Sequence, residues 1–139
     1  MASTLPLPGS LTVLMIDDNP EDLESWSRLL GESLSRYLIL KAQTVRAALD
    51  LCEYQTVDCV VLDIDMEHSS GFEVLLRLIP NHKHPKVAVV VLTRLRNASL
   101  HNMALYHGAQ ACLVKQLTSA RDLDEAIQKA VISVVSNAN

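Results

Sequence analysis

"DCVVLDIDM" (residues 58–66) sets four apolar residues in a row between two aspartates, then crowds Asp63 and Asp65 together with one residue between them. A strand with one wet face alternates apolar and polar residues, so an unbroken run predicts a strand covered on both faces. "LTVLMIDD" (11–18) and "KVAVVVLT" (86–93) read the same way, and the first also ends in a pair of acids. Doubly covered strands belong to parallel sheets with helices on each side.

The intervening segments supply those helices. Asn19 and Pro20 form an N-cap and a first-turn proline, and Glu21 and Asp22 sit favourably near the positive end of the helix dipole. Leu23, Trp26, Leu30 and Leu34 then recur at helical spacing. "YLILKAQ" (37–43) is a second strand, and Thr44 caps a helix through Tyr54 with Val45, Ala48, Leu49 and Cys52 inward. After the strand at 58–64, Phe72, Leu75, Leu76 and Ile79 mark a third helix stopped by Pro80. "NHKHP" (81–85) is a polar connector, and Asn97 opens a fourth helix that ends at Gly108. "ACLVK" (111–115) is the fifth strand. Ser119 and Asp122 resemble a capping box before a helix patterned by Leu123, Ile127, Ala130, Val131 and Val134. Five strands and five helices in strict alternation, joined by short right-handed crossovers, predict an α/β fold with a doubly wound five-stranded parallel sheet. Pro6, Pro8 and Gly9 make residues 1–10 a flexible leader, 11–136 the domain and 137–139 a tail.

Composition agrees with a packed domain: 139 residues, 49% hydrophobic and 20% charged. A net charge of −4 gives no support for nucleic-acid binding. No apolar run is long enough to span a membrane, and the first ten residues lack the basic and apolar regions of a signal peptide. Cys52, Cys59 and Cys112 are odd in number and lack CxxC spacing, which predicts reduced, mostly buried thiols in a cytoplasmic protein.

Open parallel sheets bind ligands outside the carboxyl ends of their strands. That rule gathers Asp17 and Asp18 from strand one, Asp63 from strand three, Thr93 from strand four and Lys115 from strand five. Any one of these alone reads as a turn acid, a β-branched strand residue or an exposed lysine. Their joint occurrence at four strand ends carries the argument. Two carboxylates about 4 Å apart repel by roughly 4 kcal/mol at an effective dielectric near 20, and one ammonium does not neutralise three acids. A hard divalent cation such as Mg²⁺, held by carboxylates and water, would supply the missing charge. Cation, hydroxyl and ammonium together complement a phosphoryl group, so the set points to phosphoryl transfer through an aspartyl phosphate.

The order of these residues resembles the receiver domain of two-component response regulators (CheY-like). The resemblance covers about residues 11 to 136. It rests on "IDDN" after strand one, "VVLDIDM" with Gly71 eight residues past Asp63, "VVLT" ending thirty residues past Asp63, and "GAQACLVK" ending twenty-two residues past Thr93. It implies a flavodoxin-like strand order 2-1-3-4-5. It also implies that Asp63 accepts a phosphoryl group from a histidine kinase or a histidine phosphotransfer protein. Asp18, the Asp63 carboxylate and the Asp65 backbone carbonyl would ligate Mg²⁺, with Asp17 acting through water. Thr93 would hydrogen-bond the phosphoryl oxygens and Lys115 would pair with them. Phosphorylation would then reshape the face made by helix four, strand five and helix five, where a downstream protein docks. A second copy of the chain is a further candidate partner. With the sequence ending soon after the fifth helix, output by docking is expected, whether the chain stands alone or is one domain of a longer hybrid.

Four positions depart from the family pattern. Cys112 stands where a switch Tyr or Phe is usual, Gln116 where a proline follows the lysine, Arg94 where a small residue follows the threonine, and Glu67 where a proline follows the acceptor. A thiol cannot swing as a ring does; Gln116 favours a trans or strained loop; Arg94 would restrict donor access or touch the phosphoryl group. The Asp65 side chain, near the approach of the hydrolytic water, is a modifier of undetermined sign. His68, His82, His84, His101 and His107 read as surface or half-exposed residues, and Trp26 and Tyr106 as packing or surface aromatics. Two other readings stand beside the receiver. One is an interaction module of the same shape that takes no phosphate. The other is a haloacid-dehalogenase-type phosphatase, which DxD resembles but whose acid pair after the lysine is missing.

Overall fold

The computed structural model describes residues 10–33, 35–66, 70–83 and 85–137. Strands β1 (Leu11–Ile16), β2 (Tyr37–Ala42), β3 (Cys59–Leu62), β4 (Ala88–Thr93) and β5 (Ala111–Val114) alternate with helices. These are α1 (Pro20–Gly31), α2 (Val45–Tyr54), α3 (Gly71–Leu78), α4 (Ala98–Tyr106) and α5 (Ala120–Asn137). All strand pairs are parallel and the order is β2-β1-β3-β4-β5, as expected. The proposed leader and tail lie almost wholly outside the described residues, as do Leu34, Glu67, His68 and His84.

The sheet divides its apolar residues between two cores. Leu14, Ile16, Val60, Leu62, Val89 and Val91 pack with Ala48, Val74, Leu75 and Ala104 of α2, α3 and α4. Val13, Met15, Cys59, Val61, Val90 and Leu92 pack with Leu23 and Leu30 of α1 and with Leu123, Ile127 and Ala130 of α5. Successive residues serve opposite cores, which is why the runs are unbroken. Each fully buried Leu, Ile or Val contributes about 1.5–3 kcal/mol relative to an exposed one.

The caps form where the side chains require them. Asn19 accepts from the amides of Glu21 and Asp22, Thr44 from Ala47, Ser70 from Phe72 and Asn97 from Leu100. Ser119 and Asp122 exchange reciprocal bonds of 3.0 Å, a complete capping box. Gly108, at φ +108°, takes the left-handed turn that ends α4. Two boundaries move where the site forms. β3 stops at Leu62 rather than Ile64, and β5 stops at Val114, so Lys115 opens a 3₁₀ turn (Lys115–Leu117). Thr118 secures that turn by donating its hydroxyl to the Val114 carbonyl at 2.7 Å. No cis peptide bond occurs among the described residues, so the Lys115–Gln116 bond is trans.

Candidate functional site

Sheet register builds the site. Ile16 pairs with Leu62 and Thr93 with Val114, so the next residues of three strands, Asp17, Asp63 and Lys115, emerge at one end. The Asp63 amide donates to the Ile16 carbonyl at 3.0 Å, extending the ladder by one rung to the acid itself.

Lys115 is the hub. Its Nζ donates to Asp17 Oδ2 at 2.6 Å, Asp63 Oδ2 at 2.8 Å and Asp22 Oδ2 at 2.9 Å. An ammonium has three donors, and all three are used. The second oxygens are held locally: Asp17 Oδ1 accepts from the Asn19 amide at 2.9 Å and Asp63 Oδ1 from the Asp65 amide at 2.8 Å. Both carboxylates are therefore fixed in orientation before any ligand arrives.

Asp22 was not among the residues that the sequence singled out. The structure adds Asp22, in the first turn of α1, as a third carboxylate on Lys115, while Asp18 is half-buried just beyond the end of β1. Asp22 also takes Arg94, whose Nη2 lies 2.9 and 3.0 Å from its two oxygens and whose Nε lies at 3.2 Å. Side-chain exposure falls from 54% at Arg94 through 15% at Asp22 to 4% at Lys115, so the pairs run from solvent inward. Asp65 and Gln116 are exposed, and Cys112 is half-buried in β5. Thr93 is fully buried, with its Oγ1 accepting from the Leu95 amide at 3.3 Å.

The electrostatics follow the burial. Desolvation raises Asp17 above the ordinary carboxylate range even against its bond to Lys115. Desolvation also acts on Asp22, but Lys115 and Arg94 together outweigh it and hold Asp22 below that range. Burial alone would lower Lys115, yet bonds to Asp17, Asp63 and Asp22 drive it well above an ordinary lysine. Burial pushes the Cys112 thiol up to about 11 and that of Cys59 up to about 12, so neither is a ready nucleophile, and all three cysteines are free.

No group of three His, Cys, Asp or Glu side chains is arranged around a metal position among the described residues. The donor set still fits a hard cation that needs only one or two carboxylates plus carbonyl and water oxygens. Three carboxylates face one ammonium and one guanidinium, and Asp18 follows Asp17 directly in the chain.

Gly71 completes the site from behind. A Cβ placed there would lie 2.5 Å from the Asp63 carbonyl oxygen and 2.5 Å from the Ile64 Cα, so α3 packs directly on the backbone of the Asp63 turn. Gly71→Ala is expected to cost about 3 kcal/mol, the upper range for overpacking a tight site. Urea denaturation checks it, and a loss below 0.5 kcal/mol (on the order of a neutral surface change) would show that the approach is soft.

The response regulator receiver domain family matches residues 13–128. The positive alginate biosynthesis regulatory protein of Pseudomonas aeruginosa is 35% identical over 122 residues, 86% of this chain and 47% of that protein. A protein-glutamate methylesterase/protein-glutamine glutaminase of Rhodospirillum rubrum is 28% identical over 118 residues, 85% of this chain but only 30% of its own length. The chain therefore spans half or less of these two relatives. The crystal structure of the signal receiver domain of a LuxO repressor protein from Vibrio parahaemolyticus superposes with a TM-score of 0.78 at 20% identity. That match covers 91% of this chain and 94% of that one.

Proposed function

This chain belongs to the response regulator receiver domain family, and on that premise we propose that Asp63 is the residue phosphorylated when it signals. A receiver domain is a signalling switch that works with histidine kinases and downstream effectors. The observation that carries the assignment is the pairing of Asp63, buried and oriented by the Asp65 amide, with the lysine that opens the turn after β5.

An Asp63 carboxylate oxygen donates a lone pair to phosphorus. The P–N bond of a partner's phosphohistidine breaks, and its electron pair stays on the imidazole nitrogen. With acetyl phosphate as donor, the P–O bond breaks and the pair leaves with acetate. Lys115 then turns N–H donors from the carboxylates to the new phosphoryl oxygens, and Thr93 supplies its hydroxyl to them. Asp18, Asp63 and the Asp65 carbonyl are the groups to hold Mg²⁺, with Asp17 through water, and the bound cation offsets the charge on the phosphoryl oxygens. Nothing in the site favours the phosphatase reading, whose required acid, Asp65, is exposed.

Transmission takes its own route in this reading. Cys112 offers no ring to swing, but the hydrogen bonds at Thr93 continue. The Leu95 amide donates to Thr93 Oγ1, and the Leu95 carbonyl accepts from His101 Nε2 of α4 at 2.7 Å. When Thr93 turns to the phosphoryl group, it releases Leu95 and with it the tether on α4. That helix leaves Met103 and Leu105 exposed, and Tyr106 exposed beside His82. His101→Ala is expected to leave adduct formation intact and to blunt the amide shifts of α4 on activation; undiminished shifts would remove the relay. The setting we assign is the cytoplasm, in keeping with the free thiols and with the lack of any described helix long and apolar enough to cross a membrane.

Incubation with Mg²⁺ and acetyl phosphate, read by intact mass, tests the whole reading: a single phosphoryl adduct is expected, and its absence would leave only the phosphate-independent module.

A further inference from the structure

We propose that Asp22 and Arg94 form a latch on Lys115, in which Asp22 competes with the incoming phosphoryl group for the lysine and Arg94 draws Asp22 aside. The inference rests on the reading of Asp63 as phosphoacceptor and adds two positioning residues to it.

Lys115 has no donor to spare, because each of its three N–H groups meets a carboxylate. A phosphoryl group that is to pair with it must displace one of them. Asp17 and Asp63 are nearly buried and each is anchored through its other oxygen to a backbone amide. Asp22 is the most exposed of the three, and its second anchor is a solvent-exposed side chain: the guanidinium of Arg94, reaching across from the β4–α4 loop. The Asp22 Oδ2 atom itself is shared, 2.9 Å from Lys115 Nζ and 3.0 Å from Arg94 Nη2. Asp22 is therefore the ligand that can leave Lys115 without losing its countercharge, since a planar guanidinium holds both carboxylate oxygens at once.

Charge sets the direction. The acceptor site already carries more acids than cations, and converting the Asp63 carboxylate to an acyl phosphate dianion adds one further negative charge. Asp22 opposes that change both by proximity and by holding a donor. Removing it frees one N–H of Lys115 and also frees Arg94. Removing Arg94 instead leaves Asp22 dependent on Lys115 alone, so the competition sharpens. A guanidinium that acted only as a steric lid would give the opposite result, because its loss would open the site. A pair that served only to dock α1 on the loop would change unfolding and leave affinity untouched.

The test uses the whole chain with Mg²⁺ and beryllofluoride, a mimic of the phosphoryl group. Binding is followed by the fluorescence of Trp26, the single tryptophan, which lines a small pocket with Asp17, Asp22 and Asp63. Asp22→Asn is expected to bind beryllofluoride about tenfold more tightly, and Arg94→Ala about tenfold more weakly. In the Asp22→Asn background the effect of Arg94→Ala should shrink to less than about threefold, because Arg94 acts through Asp22. Acetyl phosphate adduct rates should follow the same order, and thermal melts confirm that each variant is folded. Unchanged or weaker binding by Asp22→Asn, tighter binding by Arg94→Ala, or additive effects in the double variant would each overturn the latch while a responsive wild type upholds the acceptor reading. A wild type that neither binds beryllofluoride nor gains an adduct would overturn both.

Discussion

Asp63→Asn is expected to abolish the acetyl phosphate adduct entirely while the protein remains folded. The amide has no lone pair of carboxylate basicity to offer phosphorus, so the loss is of chemistry rather than of degree. Its carbonyl oxygen can still accept from the Asp65 amide, which holds the turn against Gly71. Lys115 keeps Asp17 and Asp22 as partners, so its charge stays compensated. One negative charge also leaves a crowded site, which offsets the lost ion pair. The melting temperature should therefore stay within about 5 °C of wild type, the shift that about 1 kcal/mol brings in a domain of this size. Intact mass after incubation with Mg²⁺ and acetyl phosphate supplies the decisive reading. An adduct of wild-type yield on the variant would move the acceptor elsewhere, and Asp17 or Asp65 would be the next residues to replace.

The strands that the sequence announced most clearly are those with a core on each side. β1, β3 and β4 are buried almost from end to end, and mostly apolar, because alternate residues serve different helices. β2 and β5, at the edges, are only half-buried over most of their length, so their patterns are weaker. Asp17, Asp63 and Lys115 were legible for a topological reason: a parallel sheet puts every carboxyl end on the same side, so residues just past those ends must meet. Asp22 was not legible. An acid in the first turn of a helix already has an adequate local reason to be there, and its two partners lie 72 and 93 positions further along the chain. Arg94 stood out as a bulky charge in an unusual place, but nothing in the sequence named the carboxylate that it binds. Gly71 marked the family, whereas its physical necessity, contact with the Asp63 backbone, needed coordinates.

Lys115→Met is expected to be the most destabilising single change at the site, and its cost should fall as the pH is lowered. Methionine keeps the length of the side chain and removes the ammonium that bonds three carboxylates, two of them nearly buried. Breaking a buried ion pair by deleting one partner typically costs about 3–5 kcal/mol, a large part of the 5–15 kcal/mol that holds a domain together. Asp22 retains Arg94, so the burden falls on the inner acids. The sign of the pH dependence follows from proton counting. Asp17 is already raised by desolvation in the presence of the lysine; without it the folded protein favours the protonated acid still more. The native state then binds more protons than the unfolded chain between the unfolded and folded values, so stability rises as pH falls through that window. In wild type, Asp22 works the other way: its lowered value contributes stability above the ordinary carboxylate range that is lost on acidification. Between pH 7 and pH 5 it is the Asp17 trend that narrows the gap between the two proteins, because the Asp22 contribution is lost only below the ordinary carboxylate value. Urea denaturation at pH 7 and pH 5 in the presence of a chelator measures that gap without interference from metal. A gap that widens at pH 5 would mean that Lys115 is not the group holding these acids in their charged form.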